Sequence, residues 1–135
     1  MSERDTDITL RFDPASSVPA YRQIVDGLRQ HLVAGVFEPG DRLPPVRRLA
    51  MDLGVHHNTV AEAYRRLADE GWLSLARGRG ATVADRSAPE ASAETERSIA
   101  ASLDALIAEA QASGASARWI HKLLTSTARK LQEDA

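Results

Sequence analysis

The sequence has no cysteine, which excludes a disulfide framework and a thiolate metal site. Aromatic residues make up only 4% of the 135 residues, yet 43% are hydrophobic, enough for the core of one compact domain. No apolar run approaches the roughly 20 residues of a membrane span. The N-terminal stretch MSERDTDITLRFD lacks the apolar segment of a signal peptide. These absences predict a soluble cytoplasmic protein with no metal, no cofactor and no membrane partner.

An excess of charge of one sign is also missing, since the formal net charge is −2. The distribution of the charges is more informative than their sum. Residues 18–85 contain nine arginines and eight acidic residues, and six of those arginines occur in three pairs. The pairs are Arg47 with Arg48, Arg65 with Arg66, and Arg77 with Arg79. A single pair is most simply a solvated surface feature, but three pairs within one motif predict a positive patch on a neutral body.

Three helices are predicted before residue 72. The first carries an apolar stripe at helical spacing over residues 21–32. The second is short and lies between the prolines at 44 and 45 and the glycine at 54. The third runs from residue 57 or 58 to residue 70, and Gly71 supplies the left-handed residue that such helix ends favour.

A glycine-tipped hairpin follows the third helix. Two short strands are predicted at residues 72–76 and 81–84, around Arg77-Gly78-Arg79-Gly80. Taken alone, this tip also fits an ordinary turn. The order of two short helices and a basic hairpin, however, is a known way of placing one helix in the DNA major groove. We therefore predict a mainly α fold with a small β-wing, that is, a winged helix-turn-helix domain over residues 14–85.

Segments of different character flank this domain. Residues 1–13 are polar and acidic and predict a flexible arm, in which residues 8–12 alternate between apolar and polar and can add a short strand. Residues 86–98 contain few large apolar side chains and predict a linker that grades into a helix. Residues 99–135 predict a region of two helices, which Gly114 separates and in which Ser116 caps the second.

The two tail helices carry apolar stripes that they cannot bury by themselves. We predict a homodimer, because two-fold symmetry places two recognition helices on a palindromic site. The alternative is a tail packed on its own domain in a monomer. Trp119 lies beside the main stripe, at the edge of an interface or of a small cavity for an unidentified effector. The predicted dimerisation residues are Ile99, Leu103, Leu106, Ile107, Trp119, Ile120, Leu123, Leu124 and Leu131.

On a helical wheel of the third helix, Asn58, Glu62 and Arg65 point away from the apolar side. Asparagine can pair with adenine and arginine with guanine or phosphate, while glutamate can accept from cytosine or orient a neighbouring arginine. Two alternatives remain open at this stage. Asn58 can instead be the helix N-cap, and Ala61 either touches a thymine methyl group or simply favours the helix.

The stretch from Pro19 to Ala84 resembles the winged helix-turn-helix domain of the GntR family of bacterial transcription regulators. PGDRLP, the short helix, GV-x-x-NTV, the GW step and the basic wing all occur at family spacing. The short tail resembles the YtrA subfamily. The resemblance implies a sequence-specific DNA-binding regulator without enzymatic activity, expected to be a dimeric repressor on a palindromic operator. Because only about 50 residues follow the wing, we expect neither the large ligand-binding domain nor the aminotransferase-like domain of other members.

The same resemblance implies roles for single residues. Arg47 corresponds to an arginine that reads guanine or anchors to phosphate, and the wing tip enters the minor groove. His57 stands where several subfamilies have a base-reading arginine, and a neutral histidine cannot form the bidentate fork to guanine. The predicted DNA-binding residues are Arg47, Arg48, His57, Asn58, Thr59, Ala61, Glu62, Arg65, Arg77, Gly78 and Arg79.

Two other classes of function compete with DNA binding. A small metal-dependent enzyme would have to use the four histidines, which show no ligand spacing. A protein-interaction adaptor would use the winged helix to contact another protein. Salt-sensitive binding to its own promoter would distinguish a DNA-binding protein from an adaptor.

Overall fold

The computed structural model describes residues 8–76, 80–86 and 90–134, and the chain divides into two compact units, residues 1–87 and 88–135. The first unit contains α1 (Ala20–Val33), α2 (Val46–Leu53), α3 (His57–Asp69), β1 (Leu73–Ala76) and β2 (Gly80–Val83). The second contains α4 (Ala93–Ala112) and α5 (Ala117–Asp134). The predicted fold class, mainly α with a small β-wing and two tail helices, is confirmed.

The core of the first unit forms around α3, which packs against both α1 and α2. Val60 and Leu67 of α3 and Leu28 of α1 are fully buried. Spacings of three and four residues bring such side chains to one side of a helix. Burial of an aliphatic side chain of this size contributes about 1.5–3 kcal/mol, so this side of α3 determines how the helix docks.

A tight turn of three residues separates α2 from α3. Gly54 ends α2 with φ 71°, a left-handed conformation that glycine adopts without a Cβ clash. The N–H of Val55 then donates to the carbonyl of Ala50 at 3.0 Å, which satisfies one of the last carbonyls of α2. The turn gives α2 and α3 the connection of a helix-turn-helix.

The hydroxyl of Tyr64 joins α3 to the chain that precedes α2. It donates to the carbonyl oxygen of Pro44 at 2.6 Å. Burial raises the pKa of Tyr64 far above its usual value, so the hydroxyl remains a donor throughout the physiological pH range. Because Pro45 is the N-cap of α2, this bond fixes the start of α2 against α3.

We expect Tyr64→Phe to lower the free energy of unfolding by about 1 kcal/mol, because the partly buried Pro44 carbonyl loses its donor. Urea unfolding followed by circular dichroism measures the change. Tyr21→Phe is the matched control, since the Tyr21 hydroxyl has no hydrogen-bond partner within the described residues. Equal losses in the two variants would contradict the assignment.

The two strands form an antiparallel ribbon in which Leu73 pairs with Val83 and Ala76 with Gly80. A third segment, which the sequence analysis did not identify, extends the ribbon. Arg42 forms an isolated bridge with Thr82, and the N–H of Leu43 donates to the carbonyl of Ala81 at 2.9 Å. The segment before α2 therefore anchors β2, and the wing is tied to the start of α2.

The prediction of a flexible arm over residues 1–13 is wrong for residues 8–13. Ile8 and Leu10 are partly buried against the core. The side chain of Gln23 on α1 accepts from the N–H of Asp13 at 2.9 Å and donates to its carbonyl at 3.0 Å. The predicted strand over residues 8–12 is wrong as well, because the apolar side chains of this segment pack on the helical core without pairing with a strand.

The first tail helix begins at Ala93, inside the segment predicted to grade from a linker into a helix. The Ser92 hydroxyl caps α4 by accepting from the N–H of Thr95 at 3.1 Å, and Glu94 and Glu96 in the first turn favour a helix start there. The start of α4 therefore divides residues 86–98 into a linker and the first turns of the helix. Ser116 accepts from the N–H of Trp119 at 3.1 Å, which confirms the predicted cap of α5. Within the described residues, no helix is long and apolar enough to cross a membrane.

Candidate nucleic-acid interface

One side of α3 remains polar and exposed in the folded unit. Asn58, Glu62 and Arg65 lie on this side, opposite the buried side chains that pack on α1 and α2. Thr59 and Ala61 are half-buried between the two sides. The exposure of these residues agrees with the predicted helical wheel, because the apolar side of α3 faces the core.

His56 is the N-cap of α3, and this residue was missed by the sequence analysis. Its Nδ1 accepts a hydrogen bond from the N–H of Asn58 at 3.1 Å. The alternative interpretation of Asn58 as the N-cap is therefore wrong, and its amide side chain remains exposed. No pattern in the sequence pointed to His56, because Ser, Thr, Asp and Asn are the usual capping residues.

The start of α3 brings together residues from two helices. The rings of His56 and His57 stack with their centroids 4.3 Å apart and their planes at 27°. Desolvation lowers the pKa of His57, and the positive charge of the Arg47 guanidinium lowers it further. Both effects favour the neutral form of His57, and the charge of Arg47 on α2 acts on the first turn of α3. Arg47 and Arg48 are both exposed.

A groove of about 520 Å³ lies between the exposed side of α3 and the strand ribbon. It is lined by Val46, Ala61, Tyr64, Arg65, Leu75, Ala76, Gly80 and Ala81. Leu75 on β1 was not predicted to be part of the site, although it is nearly half exposed. The sequence signal was the alternation Leu73-Ser74-Leu75, which places both leucines on one face of the strand. Leu73 is covered by the core, whereas Leu75 lies beyond it and stays exposed.

The predicted patch of three arginine pairs is wrong for Arg66. Its Nε lies 3.1 Å from the Oε2 atom of Glu70, which also accepts from Arg29 of α1 at 2.7 Å. The hydrogen bond from Arg29 is the main cause that lowers the pKa of Glu70, and the bond from Arg66 adds to it. Arg66 therefore lies beside α1. Arg65 alone of this pair lies on the exposed side, because residues adjacent in a helix point about 100° apart.

Two further predictions about charged residues have different outcomes. The interpretation that Glu62 orients Arg65 or Arg66 is not supported, since Glu62 makes no ion pair within the described residues. Arg77, Gly78 and Arg79, the predicted wing tip, lie outside the described residues. No group of three histidine or acidic side chains in the described part of the chain is arranged to hold a metal ion.

The tail presents large apolar side chains to solvent. Seven of the predicted dimerisation residues are between 38% and 68% exposed: Ile99, Leu103, Leu106, Trp119, Leu123, Leu124 and Leu131. Ile107 is half-buried. Ile120 is only 7% exposed within a single chain. Its prediction as a dimerisation residue is therefore wrong in this structure, because a side chain already buried within its own chain offers little surface to a partner.

Comparison with known proteins identifies the family. Residues 20–83 match the family described as bacterial regulatory proteins, gntR family. The HTH-type transcriptional repressor YtrA of Bacillus subtilis (strain 168) is 33% identical over 113 residues, which are 84% of this chain and 87% of that protein. The chain belongs to the GntR family. The predicted resemblance, including its YtrA-like character, is confirmed.

Solved structures of similar proteins share this GntR architecture. A protein described as a transcriptional antiterminator from Listeria monocytogenes EGD-e aligns with a TM-score of 0.72 at 25% identity, covering 91% of this chain and 92% of that one. YtrA from Sulfolobus acidocaldarius, a GntR-family transcription factor, aligns with a TM-score of 0.55 at 33% identity, covering 76% of this chain and 97% of that one. This GntR protein is a DNA-binding transcription regulator.

Proposed function

We propose that the protein is a dimeric repressor that binds a palindromic DNA operator, with α3 in the major groove and the wing in the minor groove. The observation that carries the proposal is the exposed side of α3. Its side chains include hydrogen-bond donors and acceptors of different types, and it lies next to the strand ribbon and Arg47. Base readout in the major groove needs such a mixed set on one helix. The Bacillus relative, a transcriptional repressor by name, supports repression as the outcome of binding.

Each exposed residue of α3 has a chemical counterpart on DNA. Asn58 can form two hydrogen bonds with adenine, and Arg65 can form two with guanine or contact a phosphate. Ala61 leaves room for a thymine methyl group. Glu62 accepts from cytosine, a role that fits the absence of an ion pair with the described residues.

Four other residues complete the proposed contacts at the start of α3 and on α2. Neutral His57 donates a single hydrogen bond. The Thr59 hydroxyl, like the Arg48 guanidinium, contacts the phosphate backbone and positions the helix without reading a base. Arg47, close enough to act on the charge of His57, reads a base or anchors to the adjacent phosphate.

The wing supplies contacts outside the major groove. Arg77 and Arg79 flank Gly78 in the sequence, and the resemblance to the GntR family supports insertion of this tip into the minor groove. A narrow minor groove attracts arginine through its negative potential. We propose that these arginines add affinity and that the base preference comes mainly from α3 and Arg47.

The tail supplies the second copy that a palindrome requires. We propose that the seven exposed apolar side chains, with Ile107 at the margin, pack against a partner chain through α4 and α5. Contiguous exposed apolar side chains on a helix mark interaction surfaces. Trp119 lies at the edge of this proposed interface.

The proposed activity also suggests where the protein acts and whether it catalyses a reaction. A regulator of promoters acts where the chromosome lies, so we propose the cytoplasm as its location. Binding and release of DNA require no covalent bond to form or break. We therefore propose that the protein is not an enzyme and uses no cofactor.

Selection of binding sites from random duplexes tests the proposal. The expected result is an inverted repeat whose half-sites lie one helical turn or a multiple apart. Affinity for the selected duplex should fall steeply with salt, with a log–log slope of about −0.9 for each phosphate contact. Failure to retard any duplex at low salt would contradict DNA binding, and capture of a protein partner with no selected sequence would favour an adaptor.

A further inference from the structure

The cap of α3 determines which nitrogen of His56 carries the proton. The N–H of Asn58 donates to Nδ1 of His56 at 3.1 Å, and only an unprotonated ring nitrogen can accept a hydrogen bond. A neutral imidazole that accepts at Nδ1 carries its hydrogen on Nε2. While the helix is capped, Nε2 of His56 is therefore a donor.

The His56 ring is held on one edge and on one face. The cap holds the Nδ1 edge, and the His57 ring stacks on the face at 4.3 Å between centroids. The two contacts together restrict rotation of the side chain. Nε2 lies across the ring from the cap, His56 is exposed, and Nε2 has no hydrogen-bond partner within the described residues. A donor of defined direction therefore remains available to a ligand.

His56 directly precedes the exposed side of α3. In helix-turn-helix complexes, the N-terminal residues of the recognition helix lie closest to the base edges. We propose that His56 contacts DNA and donates from Nε2 to a hydrogen-bond acceptor of the operator, either a guanine edge or a phosphate oxygen. The inference rests on the proposed function, because it requires α3 to enter the major groove.

The double role of His56 separates it from an ordinary capping residue. Serine caps a helix well, but its hydroxyl is consumed by the cap and its side chain is short. Glutamine extends as far as histidine and carries an N–H donor, but it is a poor N-cap. A pair of variants can therefore remove the proposed donor and the cap one at a time.

His56→Ser is expected to unfold at nearly the wild-type temperature and to bind the selected operator about 5- to 20-fold more weakly, the effect of one lost hydrogen bond. His56→Gln is expected to unfold at a lower temperature and to bind more tightly than His56→Ser. Fluorescence anisotropy with labelled operator measures the affinities. His121→Ser, an exposed histidine on α5, is the matched control and should bind as the wild type does.

Modified operators distinguish the two acceptors. If the acceptor is guanine N7, 7-deazaguanine at one position will lower wild-type affinity to the level of His56→Ser and leave the variant unaffected. If the acceptor is a phosphate, a neutral methylphosphonate at one position will lower wild-type affinity to the level of His56→Ser. In that case His56→Ser will keep the base preference of the wild type.

Two results would overturn the inference. His56→Ser that binds every duplex as tightly as the wild type would show that Nε2 makes no contact. A nitrogen-15 spectrum of the uncomplexed protein with the His56 proton on Nδ1 would contradict the fixed tautomer. If the wild-type protein retards no duplex, the proposed function is contradicted. If the wild type binds DNA and His56→Ser binds with the same affinity, only the proposed role of His56 is contradicted.

Discussion

Replacement of Arg47 by alanine is expected to weaken operator binding about ten- to hundredfold and to relax the preference for one base pair in each half-site. One bidentate contact between arginine and guanine contributes on the order of 1–3 kcal/mol of discrimination. Arg47 is exposed on the first turn of α2 and lowers the pKa of His57 through its charge. It therefore acts at the same end of α3 as Asn58, where base contacts are expected.

Titration of Arg47→Ala against the selected operator and against random duplex measures both effects. Arg22→Ala is the matched control, because Arg22 is exposed on α1 in a different groove that Arg29 and Arg66 also line. We expect this control to keep wild-type affinity and base preference. Equal losses of Arg47→Ala on operator and random DNA would show that Arg47 anchors to phosphate and reads no base.

Leu123→Asp is expected to convert the proposed dimer to a monomer and to weaken operator binding at least about a hundredfold. Leu123 is 49% exposed on α5, so the substitution introduces a charge where a partner is proposed without removing a buried core side chain. A monomer engages one half-site at a time and loses the gain in affinity of about 10²–10⁴ that linkage of two sites provides.

Sedimentation equilibrium at micromolar concentration measures the oligomeric state, and the same preparation is titrated with operator. Thr125→Asp adds an equal charge to the opposite side of α5 and should remain dimeric, because residues two apart in a helix point in very different directions. A wild-type monomer at this concentration would contradict the dimer. A monomeric Leu123→Asp with unchanged affinity would show that pairing is not needed for binding.

The helices of the first unit were predictable from residues close together in sequence. The apolar spacing on α3, the prolines before α2 and Gly54 after it are local signals, and each observed boundary lies within about a residue of its predicted position. The start of α4 was predictable only to within residues 86–98, because this segment contains few large apolar residues. Its first turn is specified by the Ser92 cap and the acidic pair at 94 and 96.

The errors concern side-chain contacts that the pattern of apolar and charged residues does not show. Arg66 was assigned to the DNA-facing patch because it adjoins Arg65, yet it pairs with Glu70, which α1 engages through Arg29. Residues 8–13 were assigned to a flexible arm, yet Gln23 holds Asp13. Glu70 becomes a neighbour of Arg29 only after α1 has docked on α3, and Asp13 reaches Gln23 only after the chain has turned back at residues 14–19.

Helix periods, breaks and the motif shared with the GntR family follow from residues a few positions apart, because backbone hydrogen bonding and side-chain direction are local properties of the chain. The groove between α3 and Leu75, the anchoring of the wing by Arg42 and Leu43, and the burial of Ile120 were decided by packing. Each of these depends on which side chains exclude water once the elements have docked, and no spacing along a single helix or strand contains that information.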